Sequence, residues 1–361
     1  METPEGLPHQ EEIARTELLK MKRLHTTEIT QDTGAKFAVD YAHIPLTETP
    51  TARRVVSIYM AGMPQDAIQA PGQHPQEVPF SAELLKGTAT DFVLLKAEGL
   101  NSKAFKDTDG KITDSLTIDV AWQQLQEICK AQGIDISDPL VTFHITGFSE
   151  GAAQGAGLIE KVLDAGGNVG SFTVIDGAGV VGYKDPNEAL IIPQNTLRIP
   201  HNQNREPQKQ PVTKTPWGLH LSKELLNSYH SLLDGPVPNE VGPDDPKIDH
   251  TYVERLKGLI PFVSGPPRAI VPERMKLAWS RSETYGRVLA RGVATIIFAG
   301  SQSEIHDIDD VVKQVTEWQN TPGTDVTLVT SDTKHFDAHL TSAGVGFAAA
   351  LANPHKEKRN E

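Results

Sequence analysis

Residues Val141 to Gly157 read VTFHITGFSEGAAQGAG, and within them Gly147-Phe148-Ser149-Glu150-Gly151 forms a G-x-S-x-G sequence. Before it, Leu140 to Ile145 (LVTFHI) is short, rich in β-branched and aromatic residues, and bounded by Asp138-Pro139 and Gly147, which predicts a buried central strand. After it, Glu150 to Ala165 has no proline and carries Leu158, Ile159, Val162 and Leu163 at helical spacing. Ala152, Ala153, Gly155, Ala156 and Gly157 make the first turns of that helix thin enough to press against a sheet. Each helical glycine costs roughly 1 kcal/mol relative to alanine, so close approach is the reason to keep them. A serine held on a sharp strand-to-helix turn projects its hydroxyl clear of the backbone, where it can act as a nucleophile.

A nucleophilic serine requires a base, and the base requires an orienting acid. On sheets of this type the chain order is Ser, then Asp or Glu, then His, on loops after late strands. Val293 to Ala299 (VATIIFA) predicts one such strand, ended by Gly300, and the loop after it holds Glu304, His306, Asp307, Asp309 and Asp310. Asp325 to Thr330 (DVTLVT) predicts another, followed by Ser331-Asp332-Thr333-Lys334-His335-Phe336. Each candidate falls just past a strand's carboxyl end, where ligands bind in open α/β sheets.

With that order in place, the chain resembles the α/β-hydrolases, a superfamily of esterases, lipases, thioesterases and peptidases. The resemblance covers most of residues 25 to 180 and about 287 to 350. It implies a mostly parallel sheet flanked by helices, Ser149 as nucleophile and His335 as general base. It implies Glu304 as the acid, with Asp307 as an alternate. Loops of the family form strand-Gly-x-x-Asp would put the acid where Ser303 stands. A third possibility is Asp176, at the end of the strand-like SFTVID (Ser171 to Asp176), a position some relatives use. The oxyanion hole would use two backbone amides. One is the N–H of Glu150; the other is that of Met63, in Ala61-Gly62-Met63-Pro64 after the strand Arg54 to Met60, with Ala61 where the family has His.

The remaining chain sorts around this core. Residues 1 to 24 read as a flexible lead-in. Thr26 to His43 alternates about Gln31-Asp32-Thr33-Gly34, a hairpin signal, followed by strands at Arg54 to Met60 and Asp91 to Ala97 and a helix from about Asp114 to Gln132. Residues 25–179 and 287–361 form the expected core. Residues 180–286, with nine prolines between Pro193 and Pro246, read as an inserted cap or lid over the carboxyl edge of the sheet. Its Leu219, Leu221, Leu225 and Leu226 suit either an apolar substrate or the cap's own core.

Composition excludes several classes. With 361 residues, a net charge of −13 and no basic stripe, the chain lacks a nucleic-acid footprint. No stretch of 18 apolar residues occurs, and the polar N-terminus lacks an apolar signal core, so a cytoplasmic protein is expected. The single cysteine, Cys129, allows no internal disulfide and reads as a small buried hydrophobe.

Three rival motifs fail on context. Gly177-Ala178-Gly179-Val180-Val181-Gly182 is G-x-G-x-x-G, but Tyr183-Lys184-Asp185-Pro186 interrupts the helix that dinucleotide binding needs, which disfavours an NAD-dependent oxidoreductase. Asp107 to Ile112 resembles part of a calcium loop but lacks the closing bidentate acid. His335 and His339 are spaced i, i+4 without a H-E-x-x-H glutamate. The expected function is cleavage of a small-molecule ester, thioester or amide through an acyl-enzyme, with no cofactor and no metal. The alternative is a non-catalytic or regulatory binding protein on the same scaffold.

Overall fold

The computed structural model describes residues 24–30, 36–47, 53–60, 62, 85, 88–95, 114–182, 218–221, 281–301, 303, 305–331, 333, 335, 344 and 347–352. Among them the chain forms nine strands: β1 (Leu24–Thr30), β2 (Lys36–Pro45), β3 (Arg54–Met60), β4 (Asp91–Leu95), β5 (Val141–Phe148), β6 (Asn168–Ile175), β7 (Gly218–Leu221), β8 (Thr295–Gly300) and β9 (Val326–Ser331). Four helices accompany them: α1 (Asp114–Ala131), α2 (Glu150–Asp164), α3 (Ser282–Ala290) and α4 (Ile308–Gln319).

All nine strands lie in one sheet of order β1-β2-β4-β3-β5-β6-β8-β9-β7. β1 and β2 pair antiparallel, as the alternation predicts, and β2 pairs antiparallel with β4. From β4 to β7 every pairing is parallel. A parallel sheet needs cover on both faces, and its strands therefore read as continuous apolar runs rather than alternating ones. β5 follows this rule, with every residue from Phe143 to Phe148 buried.

Successive side chains still divide between two cores. Val56, Ile58, Phe143, Ile145, Phe172, Val174 and Ile297 pack with residues of all four helices. On the other face Val55, Tyr59, Phe92, Leu94, Phe148, Ile175 and Phe298 form a second cluster with Leu85, Ala349 and Ala352. Cys129 is buried in the first core, and burial pushes its thiol up to about 12, as an inert small hydrophobe requires.

The region expected to be a cap contributes to the sheet itself. Gly218–Leu221 pairs parallel with β9 as the edge strand β7, so Leu219 and Leu221 belong to a sheet strand. Helix α3 also begins inside that region, at Ser282. Residues 183–217 and 222–280, like the lead-in 1–23 and the calcium-like stretch 107–112, lie outside the described residues. No helix among the described residues is long and apolar enough to cross a membrane.

Candidate active site

The turn between β5 and α2 is strained at one residue. Ser149 has φ 53° and ψ −124°; together with Asp176 (φ 43°) it makes the pair of non-glycine residues with positive φ among those described. A residue held in such a region costs of order 1–3 kcal/mol and persists only where its surroundings impose it. Here the Ser149 N–H donates to Ile175 O at 3.0 Å, and Ser149 O accepts from Ala152 N–H at 3.1 Å and Ala178 N–H at 2.9 Å. Gly147 allows the bend: a Cβ there would collide with the Ala152 backbone, 2.6 Å from its nitrogen. The Gly177–Gly182 stretch, which resembled a dinucleotide loop, thus clasps the turn through Ala178 N–H.

Ser149 occupies the N-cap of α2 but makes no side-chain cap bond. An N-cap serine ordinarily spends its oxygen on the second or third amide of the helix. At Ser149 the hydroxyl lies instead 2.9 Å from His335 Nε2. His335 Nδ1 lies 2.6 Å from Asp176 Oδ2. Ser149, Asp176 and His335 are all buried, and Asp176 is 0% exposed. The His335 ring also stacks on Phe148, with centroids 5.0 Å apart and planes at 19°.

Asp176 is the residue to which the site converges. Its Oδ1 accepts from Gly300 N–H at 3.1 Å, and its Oδ2 accepts from Ser303 Oγ–H at 2.6 Å in addition to meeting His335. His306 Nε2 stands 3.0 Å from Oδ1. Burial by itself would raise this carboxyl; the charge and contact of His306 and His335 outweigh it and hold the group far below the usual carboxylate range. A carboxylate so held stays ionised and can fix the tautomer of His335.

Of the three carboxylates offered by the sequence, Glu304, Asp307 and Asp176, the one that meets His335 among the described residues is Asp176. The partner of His335 Nδ1 is Asp176, whose backbone is tied to the neighbouring strand by its N–H to Phe298 O at 2.7 Å. Glu304 lies outside the described residues. Asp307 is turned away from this role: it caps α4, accepting from Asp309 N–H at 2.9 Å. Ser303, at the place where the resemblance would put the acid, hydrogen-bonds the Asp176 carboxylate at the end of β6. The stacking of Phe148 on His335 and the contact of His306 with Asp176, 130 positions away, leave no local trace in the sequence. The available signal for Asp176 was Ser303 itself, a residue that cannot ionise standing where an acid was due.

Of the two expected oxyanion donors, Glu150 is the first residue of α2 and buried, with Gln154 Nε2 donating to its carboxylate at 3.1 Å. Met63 lies outside the described residues, but its neighbour Gly62 is placed directly against the turn. A Cβ on Gly62 would fall 2.7 Å from Ser149 Cβ and 3.0 Å from the Phe148 ring. Gly62, two residues past β3, therefore lies directly against the Ser149 side chain. His339 lies outside the described residues.

No protein-family model matches the sequence, and no curated protein is significantly similar to it. Solved structures are similar in fold. A highly thermostable carboxyl esterase from Bacillus coagulans, in complex with glycerol, superposes with a TM-score of 0.51 at 13% identity, covering 91% of this chain and 99% of that one. Esterase E22 superposes with a TM-score of 0.51 at 12% identity, covering 92% of this chain and 99% of that one. The sheet order, the strained serine turn after β5 and these superpositions together give the chain the α/β-hydrolase fold.

Proposed function

We propose that the protein is a serine hydrolase that cleaves an ester, thioester or amide bond through an acyl-enzyme on Ser149. The observation that carries this reading is the continuous run from Ser149 Oγ to His335 Nε2 at 2.9 Å and from His335 Nδ1 to Asp176 at 2.6 Å. His335 removes the hydroxyl proton as Ser149 attacks the substrate carbonyl, then returns it to the leaving alcohol, thiol or amine. Asp176, rather than Glu304, keeps the ring oriented and stabilises the imidazolium. The tetrahedral oxyanion forms beside the amides of Glu150 and Met63, and water activated by His335 then releases the acid. Phe148 supports the ring face of His335 through both stages.

The likeness to esterase structures favours a small-molecule ester as substrate. In this reading the insertion at residues 180–286 supplies a cap that shapes the pocket.

Fluorophosphonate labelling of the full chain tests the proposal. Ser149 is expected to label stoichiometrically, and Ser149→Ala to abolish both labelling and turnover of p-nitrophenyl esters. A folded protein whose Ser149 does not label would instead be a binding protein on this scaffold.

A further inference from the structure

The loop between β8 and α4 brings a second imidazole to the carboxylate that serves His335. His306 Nε2 lies 3.0 Å from Asp176 Oδ1, with the two side chains 5% and 0% exposed. Among the described residues neither ring nitrogen of His306 makes an aligned hydrogen bond, and its one close polar contact is with Asp176. Burying a polar group without such a bond costs about 1–3 kcal/mol. Packing alone would be served better by an apolar residue at this position.

We propose that His306 is a positioning residue that sets how strongly Asp176 supports His335, by competing for the same buried carboxylate charge. The inference rests on the Asp176–His335 couple assigned above. One buried carboxylate compensates one adjacent cation, and a second imidazolium beside it would leave net positive charge in the interior. His335 must become an imidazolium when Ser149 attacks. The full charge of Asp176 is available to it while His306 is neutral, and is shared when His306 carries a proton.

Among the described residues the ionisable groups on the surrounding elements are few; Asp332 and Lys334, beside His335, lie outside them. Asp176 comes from the end of β6, His335 from the loop after β9, and Glu150 from the start of α2. On the side of His306 itself, Asp307, Asp309 and Asp310 are exposed around the first turn of α4. Glu304, on the same loop, lies outside the described residues. Among the described residues no group of three or more His, Cys, Asp or Glu is arranged to hold a metal ion.

The test is His306→Gln in the full chain, read in two ways. The rate of fluorophosphonate labelling of Ser149 is followed across the range of about pH 5 to 8 where histidines titrate. The parent is expected to lose reactivity over a broad acid limb. The variant's acid limb should be displaced to higher pH, since His306 no longer shares the Asp176 charge. Independently, the ring resonances of His335 are titrated by NMR in Ser149→Ala and in Ser149→Ala with His306→Gln, where no reaction at the serine is needed. The same upward displacement is expected. Coincident His335 titrations in the two proteins would overturn the proposal. A serine that fails to label while the NMR displacement appears would remove the hydrolase reading and leave the coupling intact. If His306→Gln does not fold, His306→Asn undergoes the same titration, and failure of both to fold assigns His306 a structural role and overturns the proposal.

Discussion

Asp91 and Asp176 are both buried carboxylates on the same sheet, yet they stand at opposite ends of it and are held by different chemistry. Asp91 begins β4, whereas Asp176 follows the last residue of β6, so the parallel pairings put one at the amino edge and the other at the carboxyl edge. Asp91 is gripped by both ends of the Arg54 guanidinium at 2.7 and 2.9 Å, by His43 at 2.8 Å and by the Thr90 hydroxyl at 2.8 Å. Burial would raise its carboxyl, but these hydrogen bonds, Arg54 first, hold it well below the usual range. Arginine never gives up its proton at ordinary pH, so that network is fixed. Asp176 is instead met by two imidazoles, side chains that can be neutral or charged. A permanent counter-charge makes a carboxylate a structural joint; a titratable one leaves it able to follow a proton in flight.

The largest effect expected from this contrast is on turnover at the carboxyl edge. Asp176→Asn should lower kcat about 10⁴-fold, the order seen when a triad acid loses its charge and the histidine its correct tautomer. Glu304→Gln, by comparison, should leave kcat within a few-fold of the parent. Steady-state kinetics on one p-nitrophenyl ester decide it: a large loss in Glu304→Gln with little loss in Asp176→Asn would return the acid to the loop after β8.

At the amino edge the effect should be on stability alone. Asp91→Asn strips the charge that faces Arg54, and breaking a pair in which the Asp91 side chain is 4% exposed should cost about 3 kcal/mol. Turnover per folded molecule should not change. Because Asp91 is held below the range of an unfolded aspartate, near 4, its stabilisation is complete above that pH and fades as pH falls below it. Urea midpoints for parent and variant should therefore differ most near neutrality and converge in acid. A gap that widened toward low pH would mean that Asp91 is not the ionised partner of Arg54.

The smallest effect sharpens the division of labour within the site loop. Asp307→Ala removes the cap bond to Asp309 N–H and should lower stability by about 1 kcal/mol, read as a modest drop in Tm. A simultaneous loss of turnover of two orders or more would show that the α4 cap also positions His306 or Ser303.

Much of this was legible in the chain. β3 was predicted at its observed bounds, and the bounds predicted for α2 exceed the observed ones by one residue at the C-terminus. Long apolar runs closed by glycine or proline carry their signal locally. The strand run predicted at Leu140 to Ile145 continues in the structure to Phe148, because pairing with the end of β6 carries the sheet up to the serine. Gly218–Leu221 gave no such signal inside a proline-rich region; its place in the sheet comes from its partner β9, a hundred residues away.

The sequence by itself determined the fold class, the strained turn and the identity of Ser149 and His335 as candidates. Each of these depends on neighbours within a few residues or on the order of elements along the chain. Tertiary structure alone decided which carboxylate meets His335, and that Ser303, His306 and Phe148 surround the pair. Asp176 and His335 are 159 positions apart. The distance between such residues is set by how β6, β8 and β9 stack side by side in the sheet, a packing outcome that no local pattern of residue types encodes.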